Sequence, residues 1–340
     1  MTPLPHPPSA SLVTGALIAG VVAGVVASCA ALGGDDGGGA HLPNRGVVPW
    51  TRVTPNDAPF ILVPPANAPS TRWREPNALV RDGAVHLYVE ARDTADDSAR
   101  VLWATSEDGV SFTAPSVALA DAAAPSAAIA ADGTTWLAFA APDGAAIGLV
   151  SSADGAVFDG VAAEVVATAT GDEVVASPSL VIDGDRLVVY FTRATTGSAP
   201  VIARVSGPPS GPFTPDGVAL EAGAGCLASD GAAEPCWDDG GVTSPDVRLA
   251  TTPAGRRVFR LFYRGVHGAT GALGFAASWD GLTFSRFPFN PVIDERFDEV
   301  GPSSVRLGDR YLLYWSEERS ASAHGIALGV DDSDAPTDRW

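Results

Sequence analysis

Apolar residues in this chain fall in short runs broken by turn-forming residues, and nowhere do they recur at the spacing of a helix face. Ser177-Pro178-Ser179-Leu180-Val181-Ile182 predicts a strand, Asp183-Gly184-Asp185 a tight turn, and Arg186-Leu187-Val188-Val189-Tyr190-Phe191 a second strand rich in β-branched and aromatic residues. The same succession returns at Ala78-Leu79-Val80, Asp82-Gly83 and Val85 to Val89, and again at Ser303 to Leu307, Gly308-Asp309 and Tyr311 to Trp315. Asp132-Gly133 before Trp136 to Phe139 gives another copy, and a longer turn at Pro253-Ala254-Gly255 before Val258 to Tyr263 gives the fifth. A third strand follows in each unit. It ends in a second phrase, Ser-x-Asp-Gly-x-x-Phe, at Ser106 to Phe112, Ser152 to Phe158 and Ser278 to Phe284, replaced in the third unit by Ser206-Gly207-Pro208-Pro209-Ser210-Gly211-Pro212-Phe213. The Asp-Gly pairs set tight turns, which is reason enough for these aspartates, and each aromatic is expected to begin an outer strand and pack between neighbouring units.

Each unit opens on a residue-proline phrase: Glu75-Pro76-Asn77, Ala124-Pro125-Ser126, Ser177-Pro178-Ser179, Ser244-Pro245-Asp246 and Gly301-Pro302-Ser303. Five starts about 50 to 65 residues apart, each followed by strands and turns, predict an all-β five-bladed β-propeller with four-stranded blades. The fifth unit ends where its outer strand should begin, and Trp50 to Pro64 resembles that missing strand. An N-terminal strand is therefore expected to close the ring and cover its edge, making residues 47–340 one domain.

Ahead of it, Ser11 to Ala27 is an unbroken run of apolar and small residues ending at Val26-Ala27-Ser28-Cys29. The run is slightly short for a membrane span and has the form of a secretory leader, although MTPLPHPPSA before it carries no Arg or Lys. Small residues just before a cysteine resemble the lipobox of bacterial lipoproteins. That resemblance implies a signal peptide over 1–28, lipidation of Cys29, and a flexible tether over 29–46 containing Gly33 to Gly39. The expected location is the bacterial cell envelope, with the membrane as a partner through the lipid. Cys226 and Cys236 are then an even pair in an exported protein, and a disulfide accounts for them better than a metal site without neighbouring histidines.

The formal net charge is −19, which argues against a nucleic-acid partner. Arginine supplies every fixed side-chain cation and lysine is absent, so Walker, Schiff-base and Ser–Lys chemistries are excluded. No cofactor or metal is called for, and a monomer is expected.

Strand direction places the candidate chemistry. The residue-proline phrases and the ends of the second strands share one rim of the tunnel, and the turns between first and second strands lie at the opposite face. That rim collects Arg74, Glu75, Asn77, Glu90 and Arg92 from blade one, Arg193 from blade three, Asp246 and Arg264 from blade four, and Glu299, Glu317 and Glu318 from blade five. The long connection from Pro215 to Thr243 adds Trp237, Asp238 and Asp239. A tryptophan beside carboxylates suits a sugar, whose apolar face stacks and whose hydroxyls need acceptors. Plain structural pairings stand beside this reading: Glu75 with Arg74 or Arg92, Asp246 with Arg248, Glu317 and Glu318 with Arg319, and Trp237 over the disulfide.

The chain resembles the five-bladed glycosidase propellers, glycoside hydrolase families 43 and 62 with the related invertases and levansucrases. The likeness rests on the proline strand starts, the Ser-x-Asp-Gly-x-x-Phe turns and the Ser206 to Phe213 phrase. It implies a carbohydrate ligand and carboxylates at the proline starts of the inner strands, one a general acid and its partner ionised. Matched residue by residue, only Glu75 is acidic at such a start, because Ala124, Ser177, Ser244 and Gly301 cannot protonate a leaving group. Asp246 and Glu299 are the nearest substitutes. Glu75, Asp246 and Glu299 are thus the acid/base candidates, with Arg74, Asn77, Glu90, Arg92, Arg193, Trp237, Asp238, Asp239, Arg264 and Glu317 as candidate sugar contacts. The alternative is a propeller that binds carbohydrate or protein without cleaving it.

Overall fold

A computed structural model describes residues 50–331 except 56–57, 69, 159–163, 227–232, 253, 269, 294–297 and 321–322. The leader over 1–28, Cys29 and the tether over 29–46 lie outside the described residues.

Strands occur where the apolar runs place them. Blade one consists of β2 (Thr71–Arg81), β3 (Ala84–Asp93), β4 (Ala99–Ser106) and β5 (Ser116–Ala120). Blade two is β6 (Ala123–Ile129), β7 (Thr135–Ala140), β8 (Ala146–Ser152) and β9 (Glu164–Thr168). Blade three is β10 (Glu173–Asp183), β11 (Arg186–Thr195), β12 (Val201–Gly207) and β13 (Thr214–Leu220). Blade four is β14 (Gly241–Thr251), β15 (Arg257–His267), β16 (Thr270–Ser278) and β17 (Ser285–Arg286). Blade five is β18 (Asp298–Leu307), β19 (Arg310–Ser320) and β20 (Ala323–Asp331), with β1 (Thr51–Arg52) on its outer edge. All pairings within the blades are antiparallel. The inner strands β2, β6, β10, β14 and β18 touch in that order and β18 returns to β2, closing a five-bladed propeller.

The N-terminal closure is as expected. Thr51 pairs with Val330 and Arg52 with Gly329, and the segment continues along β20 to a bridge between Leu62 and Ile326. One buried carboxylate fastens it: Glu317 on β19 accepts both Arg52 terminal nitrogens, at 2.8 and 3.1 Å, and the Trp315 indole N–H at 3.1 Å.

Proline explains the inner strands. It has no N–H for the ladder, and each inner strand loses its register across the phrase, as between Arg74 and Asn77 or Val300 and Ser303. The preceding residue adopts left-handed backbone in every blade, with φ of 44° at Glu75, 44° at Ala124, 45° at Ser177, 48° at Ser244 and 62° at Gly301. A side chain there costs about 1 kcal/mol or more of strain, so four non-glycine residues at equivalent bulges mark a conformation imposed by the fold.

The residue after the proline ties the blades together. Asn77 Oδ1 accepts the Ala127 N–H, Ser126 Oγ that of Leu180, Ser179 Oγ that of Val247, Asp246 Oδ2 that of Ser304, and Ser303 Oγ that of Ala78, all between 2.7 and 2.9 Å. Each side chain reaches the same backbone position in the next blade, and the five bonds close a ring around the tunnel.

A second device works at the opposite face. Tyr314, Tyr88 and Tyr190, each on the second strand of its blade, donate to the carbonyls of Gly109, Gly155 and Gly281 in the following blade, at 2.6 to 2.8 Å. The phenylalanine three residues beyond each glycine meets the same tyrosine edge to face, with centroids 5.7 to 6.1 Å apart. Ser-x-Asp-Gly-x-x-Phe is therefore a socket: glycine takes the hydroxyl and phenylalanine the ring. Its aspartate serves the turn, since backbone N–H donation, led by Ser111, holds Asp108 down at about 2. The aromatics sit just ahead of the outer strands rather than opening them in blades one and four, where β5 starts at Ser116 and β17 at Ser285.

Candidate functional site

Because the bulges aim their left-handed residues inward, the five positions before proline converge at one end of the tunnel. Glu75 occupies the centre. Its Oε1 accepts the Ser244 hydroxyl at 2.9 Å and the Ser177 hydroxyl at 3.2 Å, and those two hydroxyls are 3.5 Å apart. On the other side lies Gly301, where an added Cβ would stand 2.7 Å from the Glu75 Cα and carboxylate oxygen. The small residues read from the sequence as missing acids are thus the walls that make room for one long acid.

Protein surrounds Glu75, which keeps a partly accessible face toward an open cavity of about 350 Å³. Loss of water around the carboxyl pushes its pKa from 4.5 up to about 7, and the negative Glu90 pushes the same way. The two serine hydrogen bonds and Arg74 oppose the rise without cancelling it.

Arg74, Glu90 and Arg92 line the same cavity. Glu90 is 4% exposed and both its oxygens are engaged: Oε1 accepts Arg92 Nε at 2.7 Å and Oε2 accepts the Ala124 N–H at 3.0 Å. It secures blade two's bulge while aiming Arg92, whose Nη1 also reaches Asp97 at 2.8 Å. The remaining wall comes from Ala140 to Gly144 of blade two, Val174, Ala176 and Ser177 of blade three, and Val300. Asp97 and Asp143 were not anticipated. Pro142-Asp143-Gly144 is a visible turn phrase, but only strand order shows that it lands beside Glu75.

The other candidates lie elsewhere. Asp246, 2% exposed, belongs to the inter-blade ring: Oδ2 accepts the N–H and hydroxyl of Ser304, and Oδ1 forms an ion pair with Arg248 Nη2 at 2.7 Å, the contact being an ion pair rather than an aligned hydrogen bond. Asn77 is in the same ring. Glu317 fastens β1, and a 30 Å³ hollow near it between blades five and one is too small for a sugar. Trp237 lies on blade four, tilted against Tyr263 at 5.6 Å and covering Gly265 and Gly274, where an added Cβ would come within 2.3 and 2.5 Å of its ring. Asp238 beneath it is buried and accepts the Tyr263 hydroxyl and Arg286 Nε. Asp239 meets His267 Nδ1 at 2.7 Å, and Arg264 folds over Gly271. Together with the Cys226–Cys236 disulfide, these contacts hold the long connection against blade four. Arg193 stands at the end of β11, outside the cavity wall. Glu299 pairs with Glu317 through its backbone, and its side chain lies outside the described residues.

Five blades thus close around a partly accessible acid at one tunnel mouth. The fold is that of the five-bladed glycoside hydrolases. A glycosyl hydrolase from Bacteroides ovatus superposes with a TM-score of 0.58 at 15% identity over 87% of this chain and 98% of that one. The catalytic domain of the Coprinopsis cinerea family 62 α-L-arabinofuranosidase gives 0.58 at 9% identity, over 82% and 96%. A structure from family 130, mannoside phosphorylases among which are glycoside hydrolases that target β-1,2 mannosidic linkages in Candida mannan, gives 0.57 at 15%, over 85% and 95%. No protein-family profile and no curated protein matches the chain by sequence.

Proposed function

We propose that the protein captures a saccharide in the cavity at the tunnel mouth and holds it without cleaving it. Glu75 meets the sugar hydroxyls, and Arg74 and Arg92 bracket them. The observation that carries this reading is that, among the described residues, Glu75 is the one acid at a bulge position: the other four are small, Glu90 and Asp246 hold blades together, and the exposed Asp97 and Asp143 of the same cavity are bound to Arg92 and to the Ala145 N–H. Hydrolysis needs a second carboxylate in step with the first. A carboxyl that titrates near neutrality both donates to and accepts from hydroxyls, which suits recognition.

That same pKa favours one second reading, in which Glu75 is a general acid. Calorimetric titration with arabinan, xylan, fructan and β-1,2-mannan oligosaccharides, alongside assays of released reducing ends, separates the two. Binding without release is expected, with affinity falling about tenfold or more in both Glu75→Ala and Arg92→Ala. Release of reducing ends that disappears in Glu75→Ala would establish the hydrolytic reading. No binding to any saccharide would reject both.

We further propose that the protein is delivered to the bacterial envelope and anchored through Cys29, on the strength of the apolar run and the Ala27-Ser28-Cys29 phrase. Radiolabelled palmitate is expected to enter the wild-type protein and not Cys29→Ser. Equal labelling of the two would overturn the anchor.

A further inference from the structure

The bulges hold two groups that saccharide capture leaves unused, the serine hydroxyls at the tunnel mouth. Ser177 and Ser244 both donate to Glu75 Oε1, at 3.2 and 2.9 Å. They differ in access. Ser244 is 3% exposed, whereas Ser177 is partly exposed and lines the open cavity. A serine attacks a carbonyl only when a base within hydrogen-bond reach takes its proton, and Ser177 already donates to a carboxylate.

The backbone at Ser177 adds a second feature. In blades one, two and four, a side chain from the second strand of the preceding blade accepts the N–H of the bulge residue. Ser316 Oγ takes that of Glu75 at 3.4 Å, Glu90 Oε2 that of Ala124 at 3.0 Å and Thr192 Oγ1 that of Ser244 at 2.9 Å. For Ser177 that place belongs to Ala140, which stands opposite Ala123 in blade two as Glu90 stands opposite Arg74 in blade one. Alanine has no acceptor, so among the described residues no side chain takes the Ser177 N–H. An N–H left for a ligand on the nucleophile itself is suited to the oxygen of a tetrahedral intermediate. Ala123, Ala124 and Ala140 line the same cavity, so the space beside Ser177 suits a short acyl group. The base is suitable too: burial pushes Glu75 up to about 7, the range in which histidine serves other serine hydrolases.

We propose that Ser177 is the nucleophile of an ester hydrolase taking a short acyl ester in the cavity, with Glu75 as its base and the Ser177 N–H as oxyanion donor. As the bond from Ser177 Oγ to the carbonyl carbon forms, the hydroxyl proton passes to Glu75 Oε1 and the carbonyl oxygen takes the negative charge against the N–H. The ester C–O bond then breaks, and the departing alcohol oxygen takes the proton from Glu75. Water attacks the acyl-serine by the same route, passing a proton through Glu75 to Ser177 Oγ and releasing the carboxylic acid. Only the alcohol, a sugar hydroxyl, rests on the saccharide reading, and the glycosidic bonds stay intact.

p-Nitrophenyl acetate is a suitable substrate and a fluorophosphonate a suitable trap. The purified protein is expected to turn over the ester and to carry the phosphonate on Ser177, as read by peptide mass mapping. Ser177→Ala is expected to lose both adduct and turnover, and Ala124 at the equivalent bulge of blade two shows that the fold accepts alanine there. Glu75→Gln keeps the shape without the base and should slow turnover about a hundredfold or more. Ala140→Ser returns an acceptor to the Ser177 N–H and should slow it about tenfold or more. No turnover, an adduct on a residue other than Ser177, or a Ser177→Ala protein as active as wild type would each overturn the proposal. Turnover by a protein that binds no saccharide in the calorimetric titrations would support the esterase and remove only the sugar; saccharide binding without turnover would do the reverse.

Discussion

Glu317→Ala is expected to cost about 3 to 5 kcal/mol of stability, the range for removing one partner of a buried ion pair. The carboxylate is fully enclosed and serves three donors at once, Arg52 from the N-terminal segment and Arg319 and Trp315 from its own strand. Its loss takes the buried carboxylate from Arg52, which keeps the Pro59 carbonyl at 2.9 Å, and leaves the Trp315 N–H without its acceptor in a site water enters poorly, where an unpaired donor is more costly than an absent one. For a domain of this size the melting temperature should fall by roughly 10 °C, at about 2 to 4 °C per kcal/mol. Two-stranded contact between β1 and β20 is too short to persist alone. Limited proteolysis should therefore cut the variant first in the segment around Thr51–Pro64. Arg52→Ala removes the other partner from a less buried place and should cost less, with coupling of about 1 to 3 kcal/mol in the double-mutant cycle. A Glu317→Ala protein melting within a degree or so of wild type would show that the strand is held by other means.

The second large effect depends on pH. Folding lifts the Glu75 pKa from 4.5 to about 7, so between those values the folded protein holds a proton that the unfolded chain has released. Stability from this group is therefore greatest below about pH 4.5 and is lost as the pH climbs to 7. At 1.36 kcal/mol per pKa unit the full loss is about 3 kcal/mol, and the face open to the cavity brings the expectation nearer 2. Glu75→Gln preserves the shape and removes the charge. It should match wild type at about pH 4 and exceed it by about 2 kcal/mol at about pH 8. Chemical denaturation of both proteins across that range isolates Glu75, because all other groups cancel in the difference. A difference that does not change with pH would mean that the carboxyl titrates normally and that its surroundings are wetter than the packing around Ser177, Ser244 and Gly301 shows.

Much of this was legible in the residues, and the boundary of legibility has a physical cause. Proline phrases, Asp-Gly turns and β-branched runs are local signals, so blade count, strand order and the N-terminal closure follow from them. Glu75 also stood out locally, as the single acid among five equivalent positions. What sequence could not reveal was the meaning of the small residues, since that depends on distances across the tunnel from Glu75 to Ser177, Ser244 and Gly301, which lie 102 or more positions away along the chain. Asp246 illustrates the same limit. An aspartate one place after proline looks like a displaced catalytic group until the equivalent Asn77, Ser126, Ser179 and Ser303 are seen making the same bond to the next blade. The packing of Trp237 is hidden for a related reason: the hole it fills is made by two glycines, and absent side chains leave little trace in a pattern of apolar positions.

The tyrosine sockets bear on how the ring can move. They join blade five to one, one to two, and three to four. Blade two carries Ala138 where blades one, three and five carry tyrosine, and blade three, which would receive it, has the Ser206 to Phe213 phrase in place of a socket; blade four has Phe262, which has no hydroxyl to donate. The tyrosine pins thus fall within two arcs, blades five-one-two and blades three-four, and the arcs are joined by apolar packing, the bonds of the inner ring, and contacts such as the Val175 N–H to the Gly144 carbonyl and Arg248 to the Ser303 hydroxyl, both at 3.0 Å. The cavity beside Glu75 takes its walls from both blade two and blade three. It therefore spans a blade joint that no tyrosine socket pins among the described residues, and its width there is set by the inner-ring bond from Ser126 to Leu180 and the Val175 N–H to the Gly144 carbonyl.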